Sequence, residues 1–154
     1  MTKVSVVDLY TAVKPHTDVI HYLKIDTQGN EYDVLNGMGG YRPIIIKVET
    51  SSIELYHGQR FIEDISTLLR SYGYVLFHQT LIHRCSPSTH NSSEPFKETA
   101  LPLHGDAYFM PDWNTQNGLN IIHSDEKSYR IMMQIFNMSE TADFILKSAQ
   151  KNLS

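Results

Sequence analysis

Three consecutive β-branched residues, Ile44, Ile45 and Ile46, follow Pro43 and lead into Lys47, Val48 and Glu49. No other feature constrains the chain as tightly. Successive residues of a strand point to opposite faces, so an unbroken apolar run needs apolar cover on both. A parallel or mixed sheet with helices on each face meets that demand. The flanking segments fit it. Upstream, His21 to Asp26 (HYLKID) reads as a strand, followed by Thr27, Gln28 and Gly29, where Gly29 suits a turn with positive φ. Asn30 is placed to cap the next helix, with Glu31 in its first turn. Val34, Leu35 and Met38 give that helix an apolar side, and Gly37, Gly39 and Gly40 close it. Downstream, Phe61, Ile62, Ile65, Leu68, Leu69 and Tyr72 share one helical stripe ending at Gly73, and Tyr74 to His78 (YVLFH) forms the next strand.

At the start of the chain, Ser5 and Asp8 have capping-box spacing around a stripe of Val6, Leu9, Tyr10 and Val13. This predicts a short amphipathic helix that Lys14-Pro15 ends. Residues 83–105, rich in Ser, Pro, His and Asn, read as a surface loop. Asp106 to Met110 (DAYFM) reads as a last strand stopped by Pro111. A long connection between the last two strands is compatible with a hairpin, which would make that pair antiparallel. Two helices are expected in the tail. One is capped by Ser124 with Tyr129, Met132, Met133 and Phe136 on a face, and one is capped by Ser139 with Ile145, Leu146 and Ala149 apolar. The methionines read as core filler. The order is helix, β, α, β, α, β, β and a helical tail, which is the pattern of an α/β sheet.

Bulk properties exclude several function classes. The 154 residues suit one ordinary domain, and 41% hydrophobic with 19% charged residues is a globular balance. A net charge of −4 without any Lys/Arg cluster argues against nucleic acid. No apolar run approaches transmembrane length and no secretory leader is legible, so a cytoplasmic location without membrane contact is expected. The sequons at Asn91, Asn137 and Asn152 carry little weight without a leader. The single cysteine, Cys85, cannot form an internal disulfide.

Ligands of open α/β sheets bind beyond the carboxyl ends of the parallel strands. Asp26 ends one strand and Glu49 the next, and neighbouring strands lie about 4.8 Å apart, so the two acids can share a pocket. There they can orient a hydroxyl, accept its proton or bind a cation. Equally, they can cap nearby helix N-termini, and position alone leaves these readings even. Lys24 lies two residues before Asp26 on the same face. An ion pair with Asp26 or with an acid of the next strand is its first account, and a role in the site its second. Eight histidines form no HExxH or HxxxH pattern and there is no cysteine pair, so no metal site is assigned. His83 and Cys85 share a loop, but two ligands do not make a site. No G-x-G-x-x-G or acid-x-G-x-G turn follows a strand, so no cofactor-binding residue is assigned.

The stretch Lys24 to Gly37 (KIDTQGNEYDVLNG) resembles the FkbM family of S-adenosylmethionine-dependent methyltransferases, with its pattern K-I-D-x-(Q/E)-G-x-E-x-x-V-L-x-G. Lys24, Ile25, Asp26, Gln28, Gly29, Glu31, Val34, Leu35 and Gly37 all match. The likeness runs on through IIIKVET, ELYHGQ at Glu54 to Gln59, LRSYGY and GDAYFMP, with VVDLYTAV before it, and spans residues 4–112. It implies the C-terminal half of a Rossmann-like class I methyltransferase sheet, strands 4-5-7-6. Residues 1–112 would be a partial methyltransferase domain, and 113–154 a helical tail whose role the resemblance leaves open. It also implies S-adenosylmethionine as cofactor, held by a glycine turn and a ribose-binding acid that this sequence lacks. The implied reaction is O-methylation of a hydroxyl on a small molecule or sugar, with Asp26, Glu49 and Lys24 as the site residues. Without the neighbouring half, the edge at residues 21–26 lies open, which predicts self-association or a second chain. Three functional expectations follow: a methyltransferase inactive without its cofactor half, a non-catalytic binding or assembly module, and one chain of a split methyltransferase.

Overall fold

The computed structural model describes residues 6–85 and 101–151. The elements are α1 (Leu9–Val13), β1 (Tyr22–Ile25), α2 (Glu31–Asn36), β2 (Ile45–Ser51), α3 (Ile62–Ser71), β3 (Tyr74–Cys85), β4 (Leu101–Pro111), α4 (Gln116–Ser124), α5 (Glu126–Ile135) and α6 (Ser139–Lys151). The strands form one sheet in the order β1-β2-β4-β3. β1 and β2 are parallel, while β4 runs antiparallel to both β2 and β3. This is the α/β architecture expected from the sequence pattern, in the first-second-fourth-third order that the resemblance implies, with β1 at an edge.

Each face of the sheet has its own apolar cluster. On one face, Ile25, Ile46, Val48, Ala107 and Phe109 pack with Leu35 and Met38 after β1 and with Ile65 and Leu69 of α3. On the other, Ile44, Ile45 and Met110 pack with Ile122, Tyr129, Met133, Ala142, Ile145 and Leu146 of the tail helices. Ile44, Ile45 and Ile46 are all buried, as a strand covered on both sides requires. Met38, Met110 and Met133 are core residues.

Several local expectations are corrected. The first helix begins at Leu9, not near Ser5. Asp8 caps it by accepting a hydrogen bond from the Thr11 amide, and Val6 stands exposed outside it. Asn30 occupies the cap position of α2 without a side-chain cap bond. Asp125, and not Ser124, caps α5 by accepting from the Ser128 amide. The expected loop at 83–105 is corrected at both ends, because β3 runs to Cys85 and β4 starts at Leu101, and residues 86–100 lie outside the described residues. His83 and Cys85 are therefore strand residues. Antiparallel pairing satisfies backbone donors and acceptors whatever the side chains, so polar composition did not stop the strands. Asn91 and Asn152 lie outside the described residues.

The tail holds three helices where the pattern predicts two. α4 reads poorly as a helix because Asn117, Gly118 and the β-branched Ile121 and Ile122 have low helix propensity. Its cap, the Thr115 hydroxyl accepting from the Gly118 amide, and its packing overcome that. Gly118 permits the packing, since a Cβ there would lie 2.0 Å from the carbonyl oxygen of Asp112.

Candidate active site

The turn from β1 into α2 is built around Glu31. Its buried carboxylate accepts hydrogen bonds from the Thr27 amide at 2.9 Å and the Gly29 amide at 3.0 Å. Gln28 has φ of 57° and Gly29 φ of 109°, so two successive residues stand in left-handed conformations. For Gln28 this carries a modest strain. A Cβ on Gly29 would lie 2.8 Å from the Cβ of Tyr56, so the loop after β2 closes directly over this glycine. That loop is itself braced by Gln59, whose Oε1 accepts from the amides of Leu55 and Tyr56.

The turn delivers Gln28 between the two acids at the strand ends. Its Nε2 donates to Asp26 Oδ1 at 3.2 Å and reaches Glu49 Oε2 at 3.4 Å, while its Oε1 accepts from the Tyr56 hydroxyl. Asp26 and Glu49 are therefore brought together, as their strand-end positions predict. Lys24 joins Asp26 at 3.3 Å, in the ion pair expected from the sequence. Both partners are about half exposed, at 51% and 43%, because β1 stands at an edge of the sheet.

The two carboxyls have opposite electrostatics. The hydrogen bond from Lys24 holds Asp26 below the usual carboxylate range. Burial raises Glu49 above it, and repulsion from Asp26 adds to that shift. Asp26 is thus the fixed anion and Glu49 the group readier to take a proton.

Sequence reasoning missed three neighbours. Gln28 and Tyr56 belong to segments quoted for the resemblance, and only the fold shows that they touch. His104 comes from β4, opposite Ser51 in register, and its Nδ1 lies 3.4 Å from Glu49 Oε1. Glu49, Gln28, Tyr56 and His104, with Thr50 and Ser51, line a cleft of about 230 Å³. A larger cleft, about 460 Å³, opens at the opposite end of β1 and β2 and is lined by Arg42, Tyr72 and Asn117. Asp18 is the acid of that lining, which holds no pair of carboxylates.

Lys47 also went unnoticed. It pairs with Asp106 of β4 at 2.7 Å, both side chains about 20% exposed. That bond raises Lys47 well above the usual lysine range. This is the lysine of the buried strand. Among the described residues, no group of three or more His, Cys, Asp or Glu is arranged to hold a metal ion.

The described residues do not form a cradle for S-adenosylmethionine. Such a cradle needs a glycine turn whose amides face the ligand. Two strand-to-helix turns are candidates, and both spend their amides internally: Gly29 on Glu31, and Gly58 on Glu54 at 2.7 Å. The Tyr56 side chain further closes the first.

Residues 2–76 match the family described as Methyltransferase FkbM domain. No curated protein and no solved structure matches the chain. Lys24, Asp26, Gln28, Glu49 and Tyr56 fall within the matched segment, and β4 with His104 beyond it. No helix among the described residues is long and apolar enough to cross a membrane. The motif-bearing turn and the paired strand-end acids thus sit in a segment, residues 2–76, that matches the methyltransferase FkbM domain, consistent with a fragment of an FkbM family methyltransferase.

Proposed function

We propose that this chain supplies the acceptor side of an S-adenosylmethionine-dependent O-methyltransferase acting on a hydroxyl of a small molecule or sugar. The observation that carries this reading is the carboxyl pair at the ends of two parallel strands, with Asp26 held ionised by Lys24 and Glu49 shifted toward protonation. Glu49 is the residue to accept the hydroxyl proton, and Asp26 with Gln28 orients the acceptor oxygen. A positioned general base contributes about 10²–10⁴-fold. The strand order β1-β2-β4-β3 supports reading the strands as the fourth, fifth, seventh and sixth of a methyltransferase sheet. On that reading the cofactor is held by a segment other than the described residues, joined in the same chain or supplied by another, and these residues alone are inactive.

Titration of the chain with S-adenosylhomocysteine tests the division of labour. No binding at millimolar ligand is expected, and micromolar binding would overturn it. When the chain is joined to the cofactor-binding half of an FkbM methyltransferase, methyl transfer to a panel of hydroxylated acceptors is expected to fall about 10²–10⁴-fold in Glu49→Gln. Unchanged turnover would remove Glu49 from its role.

A second reading, an assembly module or one chain of a split enzyme, draws on the edge position of β1. Tyr22 on that strand is 40% exposed and Ile135 of α5 is 65% exposed, with Tyr22 against the Phe136 ring at 5.9 Å. An open strand edge with apolar side chains beside it favours pairing with another chain. Self-association or a stable hetero-complex, measured by light scattering, supports this reading. A monodisperse monomer opposes it.

A further inference from the structure

Glu49 sits in a poor place for a carboxylate. Asp26 approaches it from β1, Glu31 acts on it from α2, and Asp106 stands opposite it in the β2–β4 register. Like charges directly opposite on paired strands are unfavourable. Lys47 is committed to Asp106, and Lys24 to Asp26. The side chain able to carry a positive charge that approaches Glu49 itself is His104, with Nδ1 3.4 Å from Oε1. Both side chains are largely shielded, at 21% and 23% exposed, so water screens their interaction weakly. The separation is longer than a hydrogen bond. Catalytic pairs often stand this far apart without substrate and tighten when it binds.

We propose that His104 is a positioning residue for Glu49: with a proton on its ring it holds Glu49 ionised among Asp26, Glu31 and Asp106, and on losing that proton it leaves Glu49 the stronger base. The inference rests on the reading of Glu49 as the proton acceptor, and adds what sets its strength. It also gives β4, which lies beyond the matched segment, a part in the site. Burial first and Asp26 next raise Glu49, and the His104 contribution runs against both.

The test is a carbon-13 NMR titration of the Glu49 side-chain carboxyl in the full chain, which reads the pair whether or not methyl transfer occurs. In His104→Gln the Glu49 midpoint is expected to move upward, and in His104→Lys, which restores a cation, to return toward its original position. Asp26→Asn should lower the midpoint and shows that the carboxyl responds to its neighbours. A midpoint unmoved in His104→Gln while Asp26→Asn lowers it overturns the inference. Should His104→Gln fail to fold, the unsubstituted chain decides. The His104 ring and Glu49 carboxyl signals must each carry the other's inflection, and independent single inflections overturn the proposal. A failed methyl-transfer assay leaves this result standing, so the two readings fail separately.

Discussion

The two faces of the sheet differ in where their cover comes from and in how far it extends. The first is apolar along its length, with Leu23 and Ile25, then Ile46 and Val48, then Ala107 and Phe109, packed mainly against α2 and α3, with Ile121 of α4 added from the tail. α2 and α3 come from the segment that matches the methyltransferase family. The second face is apolar only at the start of β2, where Ile45 and Met110 lie under the tail helices. One row further along, Lys24, Lys47, Tyr108 and His78 stand side by side across the four strands. The next row pairs Glu49 with Asp106, and the one after pairs Ser51 with His104. The second face is thus half core and half polar surface, and the candidate site lies on its polar half. A fully covered face stabilises the fold. A face whose cover stops partway leaves charged groups partly desolvated, where their proton affinities can shift.

The sharpest way to break this contrast is to remove the tail. A chain ending at residue 112 uncovers Ile44, Ile45 and Met110, which are 4%, 0% and 1% exposed. Exposing each large apolar side chain costs roughly 1.5–3 kcal/mol. Three such losses rival the whole stability of a domain, about 5–15 kcal/mol. The expected outcome is loss of cooperative thermal unfolding together with binding of an apolar dye. A shortened chain that melts cooperatively as a monomer would show that the second face needs no cover from the tail.

A smaller effect compares the two lysines of the polar half. Lys47→Ala strands Asp106 opposite Glu49 in a shielded setting and should cost about 1–3 kcal/mol in denaturant unfolding. Lys24→Ala breaks an exposed pair and should cost about 0–1 kcal/mol. Equal losses would mean that burial does not grade this face from β1 inward.

The smallest effect carries the opposite sign. Glu49 is raised by burial and by Asp26, so its ionised form opposes folding. The stability it allows is fully present below the ordinary glutamate range and is lost as pH rises through its elevated value. Glu49→Gln should therefore stabilise the chain at pH 7–8 by less than about 1 kcal/mol and have no effect near pH 4. Melting curves at the two pH values check this. A carboxylate whose removal stabilises is one kept for a reason other than stability. Destabilisation at neutral pH would mark Glu49 as a structural residue.

The sequence by itself determined the alternation of strands and helices, because periodicity, glycine turns and the triple isoleucine are local signals. It also placed Asp26 and Glu49 together, since residues ending adjacent parallel strands must lie near one another. Lys24 was legible as the partner of Asp26, because two residues along a strand share a face. Everything that depended on contact across the chain was decided by the tertiary structure. His104 meets Glu49 only through the β2–β4 register, and Tyr56 reaches Gln28 and Gly29 only because the loop after β2 folds back. α4 forms against its own propensities, since packing and the Thr115 cap outweigh a few tenths of a kcal/mol per residue. The role of the tail is the clearest case. Its apolar stripe announces that it must bury a face, and only the fold shows that it meets the second face of the sheet, at the end remote from the acids. Periodicity records that a side chain needs cover, and carries no information about which surface supplies it.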